Sequence, residues 1–264
     1  PVIIQHAQAH EEIMPMDVIV PIMLEMAKKA KVPVCVHLDH GETLEYVCRA
    51  LDLGVTSVMY DGSVLPFEEN LANTQMVVSF AKQTGASVEA EIGCMGKRET
   101  GSGSAGMGKD PEKIYTDPDQ AKIFVDATGI DALACSFGTT HGVYLSAPKL
   151  DFTVVERVRQ KADIPVVMHG GSGVSDEDFR KAIRSGVRKV NYYTYMALAG
   201  GKEIADQFQM GCIPVEKNGK KYKYCYSLVE SDKDTPIMYH EIVQWGTKAM
   251  KENCKKAMKV FAMQ

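Results

Sequence analysis

No apolar run in this chain approaches the ~18 residues that a membrane-spanning helix needs. No secretory leader is visible either, although the chain opens at Pro1 rather than at a methionine. There is no C-x-x-C pair. The seven cysteines (Cys35, Cys48, Cys94, Cys135, Cys212, Cys225 and Cys254) are scattered and odd in number. This argues against a disulfide framework and against a structural zinc knuckle. Several lie inside apolar runs, as small core hydrophobes do, and a reducing cytoplasm is the natural setting. Charge of one sign is not in excess: 30 Lys and Arg stand against 34 Asp and Glu, a formal net charge of −4. That balance leaves no footprint for nucleic acid or for an anionic membrane.

What remains is the composition of an ordinary globular protein, 45% hydrophobic and 24% charged, in 264 residues. Seven strand-like runs stand out: Val2–Gln5, Val32–Asp39, Val55–Asp61, Ser87–Gly93, Ala132–Gly138, Ile164–Gly170 and Lys189–Thr194. Segments of helical period separate most of them, among them Thr43–Leu53, Glu68–Gln83 and Asp176–Ser185. Ser175 is placed to cap the last of these, with three acids in its first turn. Continuous apolar runs alternating with helices predict a parallel sheet buried on both faces.

The length suits a single (β/α)8 barrel over residues 1–264. The count is one strand short, and the chain opens directly on P-V-I-I-Q. The expectation is therefore a TIM barrel whose first βα unit is missing from this sequence. The rival is an open doubly wound sheet, but no G-x-G-x-x-G follows the first run. G-S-G-S-A-G at Gly101–Gly106 has that spacing after a polar stretch and reads as part of a long loop, Gly93–Pro111. Residues 211–236 read as an irregular insertion, followed by a C-terminal helix over 239–261.

Three histidines give the chain its chemistry. His40, His141 and His169 each close an apolar run and are followed at once by Gly. In parallel barrels ligands gather at the carboxyl ends of the strands. Three imidazoles converging there form a three-ligand metal site with a position open to substrate, the layout of a catalytic zinc. Asp39 adds a carboxylate beside His40. His37 falls outside this set, and His6, His10 and His240 default to structural or surface roles. Asp61 and Glu91 also end strands. Glu89 and Glu91 share one strand face, and two acids inside a barrel are costly unless cations accompany them. The G-G-S-G at Gly170–Gly173 can turn backbone N–H groups toward an anion.

The motifs H-L-D-H-G, E-A-E-I-G, G-T-T-H-G and H-G-G-S-G, in this order and spacing, resemble those of the class II, metal-dependent ketose-bisphosphate aldolases. That family includes fructose- and tagatose-1,6-bisphosphate aldolases. The resemblance implies a barrel enzyme, homodimeric or homotetrameric, that reversibly cleaves a ketose 1,6-bisphosphate, fructose 1,6-bisphosphate ahead of tagatose 1,6-bisphosphate, to dihydroxyacetone phosphate and glyceraldehyde 3-phosphate. It implies a catalytic Zn2+ on His40, His141 and His169, with Asp61 and Glu91 holding a second or alternate cation, divalent or monovalent. Asp39 matches the catalytic acid/base. Gly142, Gly170, Gly171, Ser172, Asn191, Tyr192, Tyr193 and Thr194 match the dihydroxyacetone-phosphate contacts. Glu99, on the lid-like loop, matches the base at C3. Three departures bear on the sugar. Tyr193 stands where fructose-specific members often carry Asp. His6-Ala7 replaces a Ser at the aldehyde-side phosphate. The loop reads G-K-R-E-T-G without paired acids.

Two rivals differ in kind. A Schiff-base aldolase needs a lysine at a strand end, where these runs offer His, Asp, Glu and Asn. A metal-dependent barrel hydrolase calls for H-x-H on the first strand, and the runs lack it.

Overall fold

The computed structural model describes residues 1–93, 115–139, 149–171, 173–208, 210–217, 220–227 and 237–264. Seven strands form one parallel sheet in chain order: β1 (Val2–Ala7), β2 (Val34–Gly41), β3 (Ser57–Tyr60), β4 (Ser87–Ile92), β5 (Ala132–Cys135), β6 (Val166–Met168) and β7 (Val187–Val190). Helices alternate with them: α1 (Met16–Lys29), α2 (Leu44–Asp52), α3 (Phe67–Thr84), α4 (Pro118–Thr128), α5 (Phe152–Ala162) and α6 (Asp176–Ser185).

The sheet cannot be flat. β2 and β7 are five places apart in it, about 24 Å at ordinary strand spacing. Yet Lys189 Nζ on β7 lies 3.3 Å from His37 Nε2 on β2. The seven strands therefore curl into most of a cylinder, the TIM-barrel type of α/β fold with one unit short of eight.

Local chemistry explains several helix boundaries. Thr43 accepts a hydrogen bond from Tyr46 N to start α2, Asp117 caps α4 ahead of Pro118, and Asp151 caps α5. The Ser175 hydroxyl accepts from Asp178 N at 3.1 Å, as its position in the sequence predicts. Glycines in the left-handed region end α3 (Gly85, φ 73°) and α4 (Gly129, φ 69°).

Two apolar layers hold the sheet. On its outer face Val36, Leu38, Val58, Val88, Leu133 and Val166 are buried, as are Val47, Val77, Phe124 and Val155 of the helices. Inside it, Met59, Ala134 and Val167 form a small buried cluster. Phe124 is fully buried and meets Phe67 edge-on, with ring centroids 5.8 Å apart. Phe124→Ala is expected to cost about 3–5 kcal/mol, read as a lower urea midpoint; an unchanged midpoint would contradict this packing.

A second compact unit comprises Ser172–Arg180 and Tyr192–Gln264. It contains α7 (Thr194–Gln207), the strands β8 (Met210–Lys217) and β9 (Lys220–Ser227), and α8 (Tyr239–Phe261). The long α7 and α8 approach closely at two glycines: a Cβ on Gly200 would lie 3.2 Å from the Gly246 carbonyl oxygen and 2.8 Å from Met250 Cγ.

Two expectations need correction. The last strand-like run, Lys189–Thr194, is shifted: the strand is Val187–Val190, and Thr194 already opens α7. Tyr and Thr favour strands in isolation, but tertiary context overrides that preference here. The segment 211–236 is not irregular throughout. β8 and β9 pair antiparallel, Lys217 opposite Lys220, and the sequence between them is the dipeptide Asn218-Gly219. Asn-Gly between two such runs is a strong hairpin signal, obscured by the scattered lysines and by Pro214.

Candidate metal and acid–base centre

β2 supplies two neighbouring functional side chains. In a regular strand, neighbours face opposite sides. Asp39 and His40 escape this rule because the β2–β3 register slips between Leu38 and Gly41, and His40 takes φ 45°, rare for a residue with a Cβ. Gly41 follows directly, where a Cβ would come within 2.6 Å of Val47 Cγ2 and 2.9 Å of the Met59 carbonyl oxygen.

Asp39 is clamped by two amides. Gln5 Nε2 donates to Oδ2 at 2.7 Å, and Asn191 Nδ2 donates to Oδ1 at 2.9 Å. Burial works to raise this carboxyl, but the charges of His40, His169 and Lys189 hold it below the usual range.

His40 and His169 meet edge to face, with His40 Nε2 2.8 Å from His169 Nδ1. Each ring is gripped on its other nitrogen by a carboxylate: His40 Nδ1 by Asp61 Oδ2 at 2.8 Å, and His169 Nε2 by Glu89 Oε1 at 2.7 Å. Asp61 in turn accepts from the Ser63 hydroxyl and amide. Burial opposes a charge on His40, but its hydrogen bond to Asp61 and the charges of Asp39, Asp61 and Glu91 raise its pKa to about 9. Burial lowers that of His169.

Glu91 lies beside them, buried, and its Oε2 has no hydrogen-bond partner among the described residues. Burial, and then the neighbouring Asp61 charge, push its carboxyl well above the ordinary range. Two sets have ligand atoms all within 4.8 Å of one another: Asp39, His40 and His169, and His40, Asp61 and Glu91.

The fold thus gathers Asp39, His40, Asp61, Glu91, His169 and Asn191 at the carboxyl ends of β2, β3, β4, β6 and β7. Gly170 follows at φ 68°, with Gly171 buried after it. His141, Glu99, Gly142 and Ser172 lie outside the described residues. The remaining sequence-assigned contacts fall in the second unit. There the Tyr192 hydroxyl donates to Asn253 Oδ1 at 2.9 Å, Tyr193 is 46% exposed, and Thr194 begins α7.

Sequence reasoning missed Gln5 and the layer beneath the histidines. His37, left outside the ligand set, is buried with its Nε2 3.8 Å from Glu89 Oε2. A lysine also occupies the interior. Lys189 Nζ lies 2.8 Å from Glu89 Oε2 and supplies the cation that a buried acid on β4 requires. The alternation of Glu89 with Glu91 was the available signal; its partner lay a hundred residues away. His6 is a buried structural residue, 3.1 Å from the Tyr46 hydroxyl.

The model of the fructose-bisphosphate aldolase class-II family matches residues 1–264, the whole chain. The chain belongs to the class-II fructose-bisphosphate aldolase family. It is similar to the Escherichia coli K12 protein YdjI, 45% identical over 189 residues, which are 70% of this chain and 66% of YdjI. The fructose-bisphosphate aldolase of Staphylococcus aureus (strain Mu50) is 43% identical over 175 residues, 66% of this chain and 59% of that protein. The chain thus spans about two thirds or less of these relatives' lengths. Among solved structures, the YdjI aldolase of Escherichia coli K12 superposes with a TM-score of 0.77 at 34% identity, covering 99% of this chain and 81% of that one. A putative fructose-1,6-biphosphate aldolase from Coccidioides immitis gives 0.77 at 26% identity, with 99% and 82% covered.

Class-II aldolases are generally metal-dependent, and the donors here fit a cation. With Asp61 and Glu89 accepting from one nitrogen of each ring, the two nitrogens that face each other at 2.8 Å both present lone pairs. Asn191 Nδ2 reaches His169 Nδ1 at 3.2 Å from one side, and a positive centre between the two rings, proton or metal, reconciles the facing lone pairs. The buried Glu91 Oε2, without a partner among the described residues, points to the same need.

Proposed function

We propose that this chain is a zinc-dependent aldolase that cleaves a ketose 1,6-bisphosphate, fructose 1,6-bisphosphate first, to dihydroxyacetone phosphate and glyceraldehyde 3-phosphate. The supporting observation is the facing pair of nitrogens on His40 and His169, each ring oriented by a carboxylate, with a clamped Asp39 alongside. In this reading His40, His169 and His141 hold the ion. Asp61 and Glu91 offer a second or alternate cation position. When bound, a divalent ion supplies Lewis-acid stabilisation of the charge that develops on the ketone fragment, worth several kcal/mol.

The protein's own groups do the rest. Asp39 takes the proton of the C4 hydroxyl as the C3–C4 bond breaks and returns it to the aldehyde in condensation. Its two amide clamps hold the acceptor oxygens in place and favour the charged form that can accept. Gly142, Gly170, Gly171, Ser172 and Asn191 to Thr194 are assigned to dihydroxyacetone phosphate, and Glu99 to the proton at C3. A homodimer or homotetramer working in the cytoplasm completes the proposal.

The test is one coupled assay of triose-phosphate release from fructose and tagatose 1,6-bisphosphates, which differ only in the orientation of the hydroxyl that Asp39 serves. Faster turnover of the fructose isomer is expected. A preference for tagatose moves the assignment within the family, and cleavage of neither removes the substrate proposal.

A further inference from the structure

The layer under the histidines has an order that the reaction itself does not require. Glu89 is 2% exposed and divides its two oxygens: Oε1 holds His169 Nε2 at 2.7 Å, and Oε2 holds Lys189 Nζ at 2.8 Å. Lys189 also lies 3.3 Å from His37 Nε2. A lysine ammonium only donates, so Glu89 Oε2 and His37 Nε2 both accept from it. His37 therefore carries its proton on Nδ1 and donates to the Ser57 hydroxyl at 2.8 Å. Three strands are tied together by this chain: β7 through Lys189, β4 through Glu89 and β2 through His37.

The direction of donation continues upward. Glu89 accepts from Nε2 of His169, which leaves Nδ1 as the nitrogen turned toward His40. Without that anchor, a half-turn of the imidazole would put carbon where nitrogen now stands. Without Lys189, the carboxylate would be buried next to imidazoles with no counter-charge.

We propose that Lys189 and Glu89 act as positioning residues for the metal, fixing the ring of His169 so that Nδ1 is its ligand atom. The inference rests on the metal reading above. It assigns to the interior lysine an electrostatic brace in place of a nucleophile.

The test uses the full chain with Zn2+ or Co2+ as the probe, in wild type, Glu89→Gln, Lys189→Met and Lys189→Arg. Affinity is measured by competition with a chromophoric chelator, and geometry by the visible spectrum of bound Co2+. Glu89→Gln and Lys189→Met are expected to bind metal about 10–100-fold more weakly with an altered Co2+ spectrum. Lys189→Arg, which keeps the charge, should recover most of the loss. If the folded variants match wild type in both affinity and spectrum, the positioning role is wrong while the metal site stands. If wild type binds neither ion, the metal reading falls first. Should the variants fail to fold, the 15N shifts of His169 in the zinc-loaded wild type decide: a protonated Nε2 and a metal-shifted Nδ1 are expected, and the reverse assignment overturns the proposal.

Discussion

Asp39→Ala is expected to lower turnover by about 10²–10⁴-fold, the usual contribution of a positioned general acid–base. Metal content and dihydroxyacetone-phosphate binding should persist. The reasoning is geometric. Asp39 accepts from Gln5 and Asn191 and sits beside His40 without orienting either imidazole, since Asp61 and Glu89 do that. Loss of Asp39 thus removes a proton acceptor and leaves the carboxylates that hold the rings. Single-turnover cleavage with metal analysis separates the two effects. A variant with unimpaired turnover would exclude Asp39 from proton transfer, and one that also lost its metal would make Asp39 a ligand.

Treatment with excess chelator is expected to abolish cleavage altogether, and Zn2+ or Co2+ to restore it. Reloading should also depend on pH. His40 carries a proton up to a pKa of about 9, and a ligand nitrogen must shed it. Uptake near neutral pH should therefore release a proton, and apparent affinity should climb by up to about tenfold per pH unit until pH approaches 9. Titration calorimetry in buffers of different ionisation heat measures that release. Full activity in chelator, with borohydride trapping substrate on a lysine, would defeat the metal mechanism. Lys189 would then be the residue to examine, since it is the lysine placed inside the sheet among the described residues.

Much of the architecture was legible in advance because each strand is an apolar run bounded by Gly, Pro or a polar turn. Seven runs predicted seven strands, and α6 and α8 begin and end where their periodicity says. Of the centre, sequence could show that Asp39, His40, Asp61, Glu91 and His169 stand at strand ends. It could not show which of them touch. Strand alternation alone would have put Asp39 and His40 on opposite faces, and the register slip that reconciles them has no one-dimensional signature. Nor does a linear reading pair Gln5 with Asp39 or Lys189 with Glu89, because those contacts exist only once the sheet has curled. The hairpin of β8 and β9 was different: Asn218-Gly219 and the alternating tyrosines of Y-K-Y-C-Y were visible signals, masked by the lysines around them.

The kink at His40 has an implication for engineering. An ordinary pleated strand presents every second side chain to a cavity, so it cannot carry a proton carrier and a metal donor on adjacent codons. Grafting this pair onto another scaffold would require the slipped register and the following glycine to travel with it. Conversely, deleting one residue upstream within this strand should invert both groups together, erasing the two activities in a single step.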